Sequence, residues 1–184
     1  ATSGIFIPVT GGGGMRTVED IDHALRAGAD KIAINTHAIR NPAFLAKAVH
    51  KFGAQCIVLS VEAKKVGPHS WEAYTDGGRE RTGADVIRWI KRGIDLGVGE
   101  VVITSIDRDG ARSGFDIELA KAVTSFAPVP VVVHGGAGRL STFSDVLREA
   151  RPDALAVASV FHHHDCTIHD VKKYLKKSGF SVRI

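Results

Sequence analysis

Apolar residues along this chain follow two alternating rhythms. Short apolar runs stand at Gly4–Thr10, Lys31–Ile34, Cys56–Val61, Val101–Ile106, Val129–Val133 and Ala154–Ala158. Each is bounded by turn-forming residues and has the length of a buried strand. Between them lie amphipathic stretches of helical period at Val18–Arg26, Pro42–Lys51, Ala84–Leu96, Ile117–Phe126 and Ser141–Glu149, with a last one at Ile168–Lys177. Asp116 and Ser141 stand where helix N-caps are expected. Strand and helix alternate six times, which predicts an α/β fold with a parallel sheet. The continuously apolar strands predict a sheet covered on both faces.

The chain also repeats itself. Ile7-Pro8-Val9, a glycine run and a helix lead to a strand ending Ile34-Asn35-Thr36. Val129-Pro130-Val131, a glycine pair and a helix lead to a strand ending Val157-Ala158-Ser159. The copies, 7–36 and 129–159, are offset by about 122 positions. That is half of a (β/α)8 barrel, whose whole is typically ~250 residues. The reading is a TIM-type barrel truncated to six βα units, strands three to eight, in one partial barrel domain over 1–184. The first two units are not in the chain. An open doubly wound sheet of six strands is the alternative.

Composition adds bounds. The 184 residues are 44% hydrophobic and 24% charged, which excludes wholesale disorder. No apolar run reaches the ~18 residues of a membrane span, and no basic segment precedes an apolar one as in a secretory signal. Cys56 and Cys166 make neither a disulfide framework nor a zinc spacing. The expected compartment is the cytoplasm. Net charge is 24 − 20 = +4, which suits an anionic small molecule and not nucleic acid or a membrane surface.

Glycine, at 20 residues, carries the chemistry. A glycine run where a strand enters a helix lets backbone N–H groups approach an anion closely. This occurs at Gly13 and Gly14 beside Asn35 and Thr36, and again at Gly135 and Gly136 beside Ala158 and Ser159. Two such sites half a barrel apart predict a substrate with a phosphate at each end. The alternative is that the glycines only make tight turns. Neither loop has the dinucleotide G-x-G-x-x-G pattern.

Acids at strand ends come next, because a carboxylate at the C-terminal end of a barrel strand reads as catalytic. Glu62 follows one strand, and Asp107 and Asp109 follow another. Asp107 and Arg108 read as a loop ion pair. His162–His164 with Asp165 and Cys166 lacks the spacing of a metal site, and no metal or other cofactor is expected. The long segment holding Trp71, Tyr74 and Gly77-Gly78-Arg79 is a β-hairpin or a mobile active-site loop.

Several of these segments together resemble a known family. They are Gly11–Gly14 with Arg16-Thr17-Val18-Glu19-Asp20, Ala27–Lys31, Ile34-Asn35-Thr36, Thr104–Gly110 with Ser113-Gly114, Gly135–Gly138, Ala158–His162, and the tail from Val171 to Arg183. They are similar to the cyclase subunit of imidazole glycerol phosphate synthase. The resemblance implies a barrel that takes ammonia from a glutamine amidotransferase partner. The ammonia closes an imidazole ring on a bis-phosphate ribulosyl intermediate. The products are imidazole glycerol phosphate and an aminoimidazole carboxamide ribotide, a formal lyase reaction of histidine biosynthesis. It implies acid–base roles for Glu62, where the family has Asp, and Asp109. Gly110 joins the phosphate ligands, Lys31 and Glu100 form part of an ammonia gate at the barrel bottom, and the segment holding Trp71 and Tyr74 is a flexible active-site loop, all as the resemblance implies. The family's second catalytic aspartate, on the first strand, is not in the chain, and His134 stands where the family usually has Ser. Two alternatives are a catalytically incomplete fragment that binds phosphate or a partner, and a related cyclase for surface-sugar amidination. Open strand edges predict self-association.

Overall fold

The computed structural model describes residues 4–183. Six parallel strands form the sheet: β1 (Thr10–Gly12), β2 (Lys31–Ile34), β3 (Ile57–Gly67), β6 (Glu100–Ser105), β7 (Val131–His134) and β8 (Ala154–Ala156). Two antiparallel strands, β4 (Ser70–Thr75) and β5 (Glu80–Asp85), are added to the far end of β3. The helices between them are α1 (Val18–Arg26), α2 (Thr36–Arg40), α3 (Ala43–Phe52), α4 (Val86–Asp95), α5 (Ile117–Thr124), α6 (Leu140–Glu149), α7 (Ser159–His162) and α8 (Ile168–Lys177).

Spatial order follows chain order, β1-β2-β3-β6-β7-β8, and every pairing along this path is parallel. A doubly wound sheet would reverse its order at a switch point and place helices on both faces. Here the order never reverses. The sheet is a parallel α/β sheet curled into a partial barrel of six βα units, and its path ends at β1 and β8 without closing.

Burial alternates along the strands. In β6, Val101, Ile103 and Ser105 are buried, and Glu100, Val102 and Thr104 are partly exposed. The buried set faces the helices and joins the core with Leu59, Val131, Val133, Ile90, Leu119 and Phe143. Val102 and Val132 point the other way, outside that cluster. The inner face is only partly dry, with Val58 buried but Ala33, Ser60, Val102 and Val132 partly exposed, although the sequence predicts cover on both faces. An unbroken apolar run does not reveal that its second face lines an unclosed barrel.

Two strand starts make matching hydrogen bonds. Val9 donates to Asp30 Oδ2 at 2.8 Å and its carbonyl accepts from Asp30 N–H. Val131 does the same with Asp153, again at 2.8 Å to Oδ2. Both bonds tie the start of a strand to the turn before the next one.

Four sequence expectations need correction. The first strand is not Gly4–Thr10 but Thr10–Gly12, because β2 starts only at Lys31 and offers Gly4–Pro8 no ladder partner. Ile5, Phe6 and Ile7 are exposed instead, Phe6 at 96%. Ser141 does not cap α6; Arg139 holds the N-cap position, without a side-chain bond. Asp116 does cap α5, accepting from Leu119 N–H. The segment after β3 is not an open loop but a hairpin. Trp71 and Ala73 are buried, and nearly buried Glu72 accepts from Arg81 Nη2 and Gly83 N–H, both at 2.8 Å. Its outer turn is pinned to α5 by an ion pair between Lys65 and Glu118, with His69 Nδ1 2.5 Å from the same carboxylate. Last, the short helices α2 and α7 were not predicted, since four or five residues show no helical period.

Two neighbours in β6 test where the core lies. Ile103→Ala is expected to cost about 2–5 kcal/mol. Val102→Ala, on the inner face, is expected to cost no more than about 1 kcal/mol. Urea denaturation of the two variants measures both.

Candidate functional site

Parallel strands deliver their C-terminal ends to one rim, so residues from several strands meet there. Register places Glu62 of β3 beside Thr104 of β6, and Thr104 beside His134 of β7. Thr104 Oγ1 and His134 Nδ1 are 3.2 Å apart. Asn35, just past β2, donates from Nδ2 to Glu62 Oε2 at 2.9 Å and to the Tyr74 carbonyl at 3.1 Å. Its own Oδ1 is buried without a partner.

The hairpin reaches over this rim. Asp76, Gly77 and Gly78, in the turn between β4 and β5, all have positive φ, at 54°, 71° and 76°. Glycine takes that conformation freely and Asp tolerates it. The curl aims Gly78 N–H at Glu62 Oε2, 2.8 Å away. Asp76 N–H donates to Thr36 Oγ1 at 3.0 Å, and Arg40 Nη2 bonds Asp76 Oδ2 at 2.6 Å. Glu62 is half-buried beneath. Burial pushes its carboxyl above the ordinary glutamate value. The Gly78 and Asn35 donors pull downward and do not prevail, and the charges of Asp76 and Asp109 add to the rise. Asp109 is exposed on the loop after β6, close enough for its charge to be felt at Glu62. Glu62 and Asp109, far apart in sequence, are thus brought to one rim.

The two glycine loops differ. Gly13 and Gly14 have φ of 90° and 70°, and a Cβ on either would meet nothing within 4 Å. They line a cavity of about 420 Å³ with Arg16, Asn35, Thr36, Arg40 and Glu62. Gly135 and Gly136, at 91° and 98°, are covered by the chain itself. A Cβ on Gly136 would lie 2.3 Å from the Gly114 carbonyl, and one on Gly135 2.9 Å from that of Ser105. The Gly136 carbonyl accepts from Gly114 N–H at 2.8 Å. The loop carrying Asp109 and Gly110 lies over this second pair, whose neighbours Ala158 and Ser159 open α7. Glycine at 136 therefore serves close packing of backbone on backbone. Thr36 spends its oxygen on the hairpin turn, and Asn35 spends its amide on Glu62.

The remaining expected residues fall as follows. Lys31 and Glu100 meet at the opposite, N-terminal rim, Nζ to Oε2 at 2.5 Å, spanning β3. Asp107 pairs with Lys64 and accepts from Lys65 N–H at 2.8 Å, while Arg108 bonds Ser113 Oγ at 3.1 Å. The expected Asp107–Arg108 pair is replaced because the end of β3 lies beside the loop. Burial raises the Asp107 carboxyl, and its Lys64 and Lys65 partners outweigh that and hold it below the ordinary value. Arg16, His37, Arg40 and Asp76 line the cavity without having been singled out from sequence. The Asp76-Gly77-Gly78 run was a legible turn signal; Arg40 gave none.

This is the architecture of a barrel enzyme: a curled parallel sheet with carboxylates and open backbone at its C-terminal rim. Comparison with known families matches residues 1–167 to the family described as "Histidine biosynthesis protein". The chain belongs to that family, which covers barrel isomerases and cyclases of histidine biosynthesis. The match ends before α8, so the resemblance of the tail falls outside it. Among the described residues, no helix is long and apolar enough to cross a membrane.

The raised Glu62 carboxyl sets a sign for stability against pH. The folded state holds this proton more tightly than the unfolded chain, whose glutamates titrate near ~4.3. The stability Glu62 contributes is therefore fullest below that value and is lost as pH rises through the folded one. Carboxyl-carbon NMR is expected to show Glu62 titrating above the exposed glutamates. Glu62→Gln is expected to gain stability relative to the parent between acid and neutral pH.

Proposed function

We propose that this chain is a cyclase-type member of the family, using ammonia to close an imidazole ring on a bis-phosphate ribulosyl substrate. One observation supports this above others: Glu62 opens onto the same cavity as the unobstructed Gly13–Gly14 backbone. In this reading one substrate phosphate lies on Gly13–Gly14 and the other near Gly110, Gly135–Gly136 and Ala158–Ser159. The reacting atoms then lie between, under Glu62 and Asp109. A carboxyl with a raised pKa gives and takes protons closer to neutral pH, where general acid–base work is efficient. Asp109, exposed on the loop after β6, is the second acid of the pair. Ammonia enters from the opposite rim past Lys31 and Glu100, and that rim receives a glutamine amidotransferase partner. In this reading the Lys31–Glu100 ion pair is the gate that the cyclase resemblance implies.

A second reading holds for these 184 residues on their own: phosphate binding without turnover. The unclosed sheet path favours it. The unpaired edges at β1 and β8, with exposed Phe6 beside β1, then recruit further strands from a second copy.

Ammonium-dependent turnover of the bis-phosphate substrate tests both. The chain alone is expected to bind substrate and turn it over at least tenfold more slowly than the chain extended by two βα units at its N-terminus. In the extended protein, Glu62→Ala is expected to cost about 10²-fold or more in kcat. Appearance of an isomerised product without consumption of ammonia would refute the cyclase reading. Sedimentation of the chain alone is expected to show species larger than 19.6 kDa; a monodisperse monomer contradicts the edge argument.

A further inference from the structure

The 420 Å³ cavity joins three features that lie far apart in sequence. Gly13 and Gly14 present open backbone, with nothing within 4 Å of where a Cβ on either would stand. Arg16 and Arg40 supply positive charge and donors, and His37 lines the same wall. Asp76 and Gly77, in the hairpin turn, close the rim beside Glu62. Arg40 is engaged with that turn through its bond to Asp76 Oδ2 at 2.6 Å. The pair is weakly committed, because the two side chains are 61% and 43% exposed and water competes for both charges. The turn has two other anchors here, the bond from Asp76 N–H to Thr36 and the bond from Gly78 N–H to Glu62.

We propose that Arg40 is an exchangeable anion ligand that couples occupation of this cavity to the hairpin turn over Glu62. The proposal rests on the reading of Gly13–Gly14 as a phosphate loop. A phosphate on that backbone brings more charge and more acceptor oxygens than the single carboxylate of Asp76. A guanidinium binds it through two parallel N–H donors, the stronger arrangement. Arg40 therefore passes from Asp76 to the phosphate, and Asp76 is left facing an anion of its own sign. The turn loses the ion pair, gains that repulsion, and swings from Glu62, whose Oε2 gives up the Gly78 N–H. No covalent bond changes. The result is an order of events: the anion binds first, and the carboxylate is uncovered for the rest of the substrate afterwards. By linkage, whatever the phosphate does to the turn, the turn does to phosphate affinity by the same factor.

Inorganic phosphate is the probe, titrated into the full chain at constant ionic strength while amide and Arg40 Nε–H NMR signals are followed. Gly13 and Gly14 report binding, and Asp76, Gly78 and Arg40 report the turn. All five signals are expected to shift along one isotherm. Asp76→Asn removes the competitor and is expected to tighten phosphate about twofold to fivefold, the range an exposed ion pair spans. Arg40→Gln is expected to weaken it several-fold and to abolish the phosphate response of Asp76 and Gly78 while Gly13 and Gly14 still respond. Shifts confined to Gly13 and Gly14, with affinity unchanged in Asp76→Asn, overturn the coupling and leave the phosphate loop standing. No shift at Gly13 and Gly14 in any of the three proteins overturns the phosphate loop, and the coupling with it.

Discussion

Helices cover the sheet on one side only, and the rest of the molecule follows from that constraint. Strands β1 through β8 along the path pair in parallel and in chain order, so every βα connection returns on the same face. That face takes the apolar side chains, with Leu59, Ile103 and Val133 against the helices. The opposite face of the same strands receives alternate residues, which include Lys31, Glu62, Glu100, Thr104 and His134. Strand period of two is what sends a catalytic-type acid and a core residue from adjacent positions to opposite sides. Burial of the outer set holds the inner set in place.

The same parallel pairing separates the two rims. Lys31 and Glu100 stand at strand beginnings and meet at one end, across β3. Glu62, where the parallel pairing of β3 runs out, and Asp109 and the glycine loops, beyond strand ends, lie toward the other. Between the rims the inner face carries small or modest side chains such as Ala33, Ser60 and Val102.

Sequence repetition does not yield two equal sites. Val9–Asp30 and Val131–Asp153 make the same pair of hydrogen bonds. What differs is the chain that each copy meets. The loop after β6 folds onto Gly135–Gly136, while the matching space beside Gly13–Gly14 stays open and is bounded by the hairpin turn. The hairpin itself is extra to the βα pattern. It gains its place by burying Trp71 and Ala73 and by satisfying Glu72 with Arg81 and Gly83.

Periodicity and turn chemistry alone determined much of this. Helices α1 and α8 lie at the residues their apolar spacing predicts, each with a Thr capping box, and β2 is as expected. That Glu62 and Asp109 follow apolar runs was legible, although β3 itself runs on past Glu62 to Gly67. Local pattern could not say that Gly4–Pro8 lacks a partner strand, since pairing depends on where β2 begins. Nor could it say that β3 continues to Gly67 as one arm of a hairpin, which rests on Trp71 finding a buried place. Least of all could it show Arg40 beside Asp76, or Asn35 turned to Glu62. These contacts join residues 36 and 27 positions apart, and only the closing of the chain on itself brings such groups within hydrogen-bond range. Sequence determined which residues face which side of an element; tertiary structure decided which faces meet, because burial and backbone pairing are settled by neighbours distant along the chain.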